Sequence, residues 1–441
     1  MDFRRIVSDG GPVAESLTDV ARRPEDAEPE SRKGLGSAYW RIWTASTISV
    51  LGDGVRFTAM PLLAASVTHN AIAVSMVTVA GFAPWLLFSL VAGALVDRWD
   101  RRRVMWLSDL FRTVVMGSFT ALVAFGYTTI ALIVVVSFLL GTAETLFDNA
   151  SQTILPAIVA RARLARANSR LYAGQIVGLQ FVGPPLGGIL FALLIWAPFA
   201  LDATSFMIAS MLVLTVRGRF REPRDADAPR THLVGEIGEG VRWLWRHRLL
   251  RAFCGMLGVW NFASNMTDGI LVLWALEVLH LDARGFGFLT IGFAGGSLLA
   301  TFVAERYTKL LGEGPAIYSC IVLGAAAEII AYLTHNGFVA GGAFVLIGFG
   351  SVVWNVLTVS LRQEVIPGRI LGRVNSAYRF VGWGAIPVGA FVGGVLAHLF
   401  GLRFPFLLAA ILLTVFGLFM TRSVTSGTIA AARAEAEAPV S

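Results

Sequence analysis

The sequence predicts an all-α membrane protein, with twelve transmembrane helices in two pseudo-symmetric six-helix bundles. Three observations carry this. The 441-residue chain is 56% hydrophobic and only 15% charged, with a mean hydropathy of +0.68; a soluble chain is roughly 25% charged. Apolar runs of about 20 residues, the length that crosses a hydrocarbon core of about 30 Å, follow one another with short polar breaks. The second half of the chain also repeats the first at an offset of about 210 residues.

Taken in order, residues 1–38 are polar and rich in Arg, Glu and Pro, as expected of a disordered cytoplasmic tail. No apolar core follows Met1 closely enough for a cleaved signal peptide. Six spans are expected near 39–66, 72–96, 104–126, 129–155, 168–194 and 198–217, which form the first bundle (39–217). Residues 218–251 are a polar linker whose second part, LVGEIGEGVRWLWRHR, places Leu233, Ile237, Val241, Leu244 and Trp245 on one helical face. That pattern suits a helix lying in the membrane surface, or a partly helical linker. The second bundle (252–422) holds spans near 252–279, 286–306, 315–334, 338–361, 374–400 and 404–422, and residues 423–441 form a short Ala/Glu-rich tail.

Charge sets the expected orientation. Loops 1–2, 3–4 and 5–6 contain no Lys or Arg. Arg284 and Arg403 lie in loops of that same side, whereas most other basic residues lie in the tails, the linker or the opposite loops. Lys and Arg concentrate on the cytoplasmic side, so both termini and the linker are expected there, in a cytoplasmic membrane. The net charge of +7 is therefore a matter of topology, and no nucleic-acid partner is expected.

The repeat is visible residue by residue. Gln152 and Pro156 align with Gln363 and Pro367, Asn168-Ser169 with Asn375-Ser376, Gly187-Gly188 with Gly393-Gly394, and Asp97-Arg98 with Glu305-Arg306. Two such halves can rock about a shared cavity, the physical basis of alternating access.

An ionisable group in hydrocarbon costs several kcal/mol, so it is expected to face water or a partner. Polar residues step at helical spacing along four spans. Span 1 carries Ser49, Asp53 and Arg56; span 4 carries Glu144, Asp148 and Ser151; span 7 carries Asn261, Asn265 and Asp268; span 10 carries Ser351, Asn355 and Thr358. Each set shares one face. Such groups either pair locally, as Asp53 and Arg56 can along one helix, or line a central path in which Asp53, Glu144, Asp148 and Asp268 exchange protons. Asp109 and Arg112 in span 3 are expected to form a structural ion pair. Glu328 in span 9 is a lone acid, expected to snorkel or to meet a partner the sequence does not name. Trp260 and Trp354 precede cavity positions and either stack on a flat solute or anchor in lipid.

Three stretches carry a family resemblance. GALVDRWDRRRVM (Gly93 to Met105) resembles the loop 2–3 signature of the major facilitator superfamily, with Asp100 standing where that pattern has a glycine. GPPLGG (Gly183 to Gly188) resembles the fifth-span antiporter motif, and EIGEGVRWLWRHRLLR resembles the linker of the drug–proton antiporter branch that includes macrolide-efflux and enterobactin-export proteins. The resemblance covers about residues 39–422. It implies a monomeric, proton-coupled exporter of an amphipathic organic solute, drug-like or siderophore. Asp53, Arg56, Glu144, Asp148, Asn265, Asp268 and Asn355 would then face the cavity. Gly93, Asp97, Arg98, Arg101 and Arg102 would form a gating loop, with Asp97 accepting hydrogen bonds from the start of span 11. Gly183, Pro184, Gly187 and Gly188 would form the antiporter-like motif.

Rival readings are a uniporter or importer of the same fold, a membrane-embedded enzyme and a non-transporting membrane protein. The six histidines are scattered with no short-spaced pair, which argues against a catalytic metal. A phosphate-cradling G-x-x-x-x-G-K-[ST] loop is absent from the sequence, which argues against an ATP-driven pump. No cofactor is expected.

Overall fold

The computed structural model describes residues 35–96, 99–160, 163–218, 220, 233–421 and 423–437. Ten of its helices are long and apolar enough to cross a membrane. Spans 1 to 4 are single helices, Ser37–Val67, Ala71–Val96, Arg101–Ala124 and Ile130–Ile158. Span 6 is Ala197–Leu214, and spans 9 to 11 are Glu313–Leu333, Gly337–Val365 and Gly368–Phe400. Span 8 breaks at Thr290, between Ala283–Leu289 and Ile291–Leu311. The remaining three spans depart from the simple pattern. Span 12 is short, Phe404–Met420, and span 7 ends a first helix at Asp268 before resuming as Leu271–Leu273 and a π-helical turn, Trp274–Val278.

Span 5 contains the second π-helical turn, Val177–Val182, between Leu164–Ile176 and Gly183–Leu193. Its cause is local. Pro184 and Pro185 have no N–H to give to the carbonyls four residues upstream. The ladder shifts register there, and the Gly183 N–H reaches back five residues to the Gly178 carbonyl.

Helix contacts repeat with a shift of six spans. Span 1 packs on spans 5 and 6, span 2 on span 4, and span 3 on spans 4 and 6; span 7 packs on spans 11 and 12, span 8 on span 10, and span 9 on spans 10 and 12. Contacts between halves obey the same rule: span 2 meets span 11, and span 8 meets span 5. This is the two-bundle architecture expected from the repeat.

The aligned glycine pairs lie at these crossings. Gly187 presses on the Val55 backbone of its own half, while Gly188 meets the Ala283 carbonyl of the other half. Their counterparts behave alike: Gly393 presses on Met266 in its own half and Gly394 on Ser75 and Ala71 across the interface. No side chain larger than hydrogen fits at these contacts, which is why small residues mark them.

The two faces of the molecule are built differently. At the loop 1–2 face, one apolar core unites both halves, joining Leu63, Val74, Phe119 and Ile133 to Trp274, Phe286, Ala397 and Phe406. At the face where the chain enters span 1 and leaves span 12, each half keeps its own core, Ile42, Phe147 and Val213 in one and Phe253, Ile317 and Leu361 in the other. The halves are thus joined at one face and separate at the opposite one.

Two peripheral helices brace the second half. Leu233–Arg246 rests on span 11, with Leu244 buried in that half's core while Val241 and Trp245 remain exposed. Ser426–Glu437 is fixed by Arg433, which donates to Glu313 at 2.7 and 2.9 Å and to Glu364 at 2.7 Å.

Adding side-chain volume at the inter-half glycines would strain the joined face. Overpacking of this kind costs about 1–3 kcal/mol. Gly188→Val and Gly394→Val are expected to open the loop 1–2 face, read as faster maleimide labelling of a thiol introduced as Leu63→Cys. Labelling as slow as in the unsubstituted background would show that these glycines do not hold the face shut.

Candidate functional site

The centre of the first half is a buried charge network. Arg56 in span 1 is 4% exposed and meets three carboxylates from three helices. Its Nη2 donates to Asp53 Oδ1 at 2.6 Å, one turn earlier in the same span. The same nitrogen donates to Glu144 Oε2 of span 4 at 3.3 Å. Its Nε lies 3.4 Å from Asp202 Oδ2 of span 6.

Arg112 of span 3 forms a second node. Its Nη1 is 3.6 Å from Asp109 Oδ1 and 3.9 Å from Asp53 Oδ2, so Asp53 bridges the two arginines. The Arg112 guanidinium also lies 5.1 Å from the Phe147 ring centroid and 5.0 Å from that of Phe206. Two π faces thus take part of the solvation that water would give. Asp148, one turn beyond Glu144, is within electrostatic reach of Arg112 and of Arg379 in span 11.

Five carboxyls therefore face two guanidiniums. Neither carboxylate oxygen of Asp109 or Asp202 accepts a hydrogen bond, and both residues are fully buried. Their charge is compensated through space alone.

The sequence-derived residues fall into separate places. Asp53 and Arg56 point into the interior of the first half, and Glu144 and Asp148 are half-buried at the edge of the network. Glu144, which has no basic residue one turn away, receives its cation from span 1 instead. Asp202 carries no signal of spacing, being one acid within the apolar run APFALDATSF; an ionisable residue in a span was itself the available clue. Asn265 and Asp268 line a cavity of about 240 Å³ within the second half. Asn355 lines a neighbouring cavity of about 570 Å³ bounded by spans 7, 10 and 11. Trp260 borders both cavities, whereas Trp354 borders the larger one and is otherwise buried, edge-on against Phe253. Glu328 does not snorkel: it is 3% exposed and faces the smaller cavity.

The loop 2–3 region is tied down from its far end. Gly93 lies near the end of span 2, and Asp97 and Arg98 lie outside the described residues. Asp100 caps span 3 by accepting from the Arg103 N–H at 3.1 Å, and its other oxygen accepts from the Phe220 N–H at 3.1 Å. The Asp that replaces glycine in the signature is thus an N-cap that also anchors the linker. The Arg101 N–H donates to Phe220 O at 3.3 Å at the same junction. Arg102 Nε donates to Val213 O at 3.3 Å, at the end of span 6. In the GPPLGG stretch, Gly183 packs against Gly54 of span 1, and the Pro184 carbonyl meets Gly287 of the other half.

Residues 36–439 match the family model described as transmembrane secretion effector. The chain belongs to this family. Among its relatives, the multidrug efflux pump Tap of Mycobacterium tuberculosis (strain ATCC 25618 / H37Rv) is 28% identical over 400 residues, covering 86% of this chain and 92% of that protein. Macrolide efflux protein A of Streptococcus pyogenes is 23% identical over 389 residues, covering 85% and 93%. Among solved structures, the nucleoside transporter NupG superposes with a TM-score of 0.69 at 13% identity, covering 88% of this chain and 99% of that one. A bacterial homologue of the iron transporter ferroportin in the inward-facing state superposes with a TM-score of 0.68 at 16% identity, covering 87% and 98%. These likenesses establish the major facilitator fold. As a transmembrane secretion effector the chain is a multi-pass membrane transporter and not an enzyme.

The network yields a stability test. Removing one member of a buried ion pair leaves the others uncompensated, at roughly 3–5 kcal/mol. Arg56→Gln is expected to lower the unfolding temperature in detergent by several degrees, and adding Asp53→Asn is expected to restore part of it. No recovery in the double variant would show that Asp53 and Arg56 are not energetically coupled.

Proposed function

We propose that this secretion effector exports amphipathic, drug-like organic solutes across the cytoplasmic membrane by alternating access, in exchange for protons. The observation that carries the reading is the difference between the two faces: a shared core at the loop 1–2 face and separate cores at the face of the termini. With both termini in the cytoplasm, this is the state open to the inside, ready to receive a solute from the cell. The efflux activities named for Tap and for macrolide efflux protein A support the direction of transport.

The coupling part of the proposal rests on the shared arginines. Arg56 divides its charge among Asp53, Glu144 and Asp202, which belong to spans 1, 4 and 6. A proton on Glu144 weakens the tie between spans 1 and 4 and leaves Arg56 to Asp53 and Asp202. Loss of that proton restores the tie. A reversible link between two helices of one bundle is the kind of two-state element that can bias rocking of that bundle against the other. Glu144 is suited to this part because it is the least enclosed of the three, its side chain 22% exposed. A carboxyl that exchanges protons needs such access to water.

Uptake of a fluorescent amphiphile into inverted membrane vesicles, energised with a pH gradient that is acid inside, tests this proposal. Glu144→Gln is expected to reduce gradient-driven transport at least tenfold while leaving gradient-free counterflow within about twofold of the parent, about 1.4 kcal/mol being the tenfold unit. Asp53→Asn is expected to flatten the dependence of transport on pH. If both variants match the parent in rate and pH profile, protons are not coupled through this network.

A further inference from the structure

A second pair of guanidiniums stands in the second half, outside the coupling network. Arg362 of span 10 and Arg379 of span 11 both line the cavity of about 570 Å³ bounded by spans 7, 10 and 11. None of the described residues lining that cavity is Asp or Glu. Its described walls therefore carry positive charge with no counter-charge among them.

Arg362 is held in place by neutral groups. Its Nε donates to the Thr358 carbonyl at 3.0 Å, and its Nη1 donates to Asn375 Oδ1 of span 11 at 3.0 Å. Its guanidinium lies 3.9 Å from the centroid of the Tyr378 ring. A guanidinium carries five N–H donors in a planar fork, and among the described residues these bonds leave Nη2 for a further acceptor. The groups that reach Arg362 electrostatically are Tyr378 and Cys254, neither of them a carboxylate. Arg379 is exposed and lies 5.0 Å from the centroid of the Trp383 ring, with Asp148 of span 4 within its electrostatic reach.

Two arginines on the cytoplasmic side have an ordinary explanation in topology. Two observations go beyond it. An arginine that serves topology alone extends toward headgroups or water, whereas Arg362 is turned onto span 11. The scaffold does not require either residue. With Gln152 matched to Gln363 and Asn168 to Asn375, the first half has Ser151 in the place of Arg362 and Tyr172 in the place of Arg379.

The wall chemistry selects the occupant. A guanidinium fork matches a planar oxyanion, above all a carboxylate. Trp260 and Trp383 line the same space and offer faces on which a flat ring stacks. An inorganic anion would use the guanidiniums and leave these rings without a role. A cationic solute entering from the cytoplasm would be repelled by the same two charges.

We infer that Arg362 and Arg379 form a subsite for the carboxylate of an aromatic organic anion, whose ring system lies against Trp260 and Trp383. This rests on the export reading and names a solute class for it.

Equilibrium binding to the purified full-length protein tests the subsite without any proton gradient. The probe is radiolabelled 2-naphthoate. The competitors are its uncharged analogue 2-naphthamide, the cation 2-naphthylmethylammonium, and sulfate. The parent is expected to bind the carboxylate in preference to the amide and the ammonium. Arg362→Gln and Arg379→Gln are each expected to weaken naphthoate about tenfold and to change naphthamide by less than about twofold. Trp383→Ala is expected to weaken both ligands. No saturable naphthoate binding, no preference for the anion in the parent, equal losses for naphthoate and naphthamide, or displacement by low-millimolar sulfate would each overturn the subsite. Should Arg362→Gln fail to give monodisperse protein, Arg379→Gln decides alone, since its side chain is exposed. Absence of anion preference with intact gradient-driven efflux removes only this inference; intact preference without gradient-driven efflux removes only the coupling.

Discussion

A guanidinium inside a helical bundle has to be compensated on the spot, and much of the first half is organised around that need. Arg56 draws carboxylates from spans 1, 4 and 6 to within 3.4 Å, and Arg112 draws on spans 1 and 3 while two aromatic rings cover its faces. Desolvation of such charges is costly enough that no single pair would be secure. Sharing spreads the compensation over several helices. It also means that the protonation of any one carboxyl is felt by all the others, since each competes for the same two cations.

Backbone contact does the complementary work at the interface between halves. Where spans 5 and 8 cross, and where spans 2 and 11 cross, glycine brings main chains together with no side chain between them. Such contacts gain from dispersion and close fit without locking in an ion pair. They can therefore separate and re-form at small cost, as a face that opens during transport requires. The π-helical turn ahead of Gly183 follows from the same stretch, because the two prolines that bend span 5 also remove its ladder donors.

Much of this fold was legible in the sequence because it depends on periodicity. Span length, the repeat and the aligned pairs Gly187-Gly188 and Gly393-Gly394 are properties of residues near one another or at a fixed offset. The site was less legible because its contacts join distant spans. Glu144 read alone has no cation nearby, and its partner Arg56 is 88 residues away. Asp202 looks like a stray acid until span 6 packs on span 1. Glu328 meets Asp268 only because spans 7 and 9 enclose one cavity. The role of Asp100 as a cap depends on Phe220 returning to it from the linker, which no local pattern encodes.

The two halves share a scaffold yet carry opposite electrostatics at matching places. Along span 1 the polar steps are Ser49, Asp53 and Arg56; along span 7 the same steps of four and three residues give Asn261, Asn265 and Asp268. An arginine in one half thus corresponds to an acid in the other. In the first half the cation is supplied by the protein, so its carboxyls are satisfied internally and what can vary is their protonation. In the second half none of the described residues lining the cavity of Asp268 and Glu328 is Lys, Arg or His, and the nearest guanidiniums, Arg362 and Arg379, line the neighbouring cavity. The repeat places Arg56 and Asp268 at corresponding steps of spans 1 and 7.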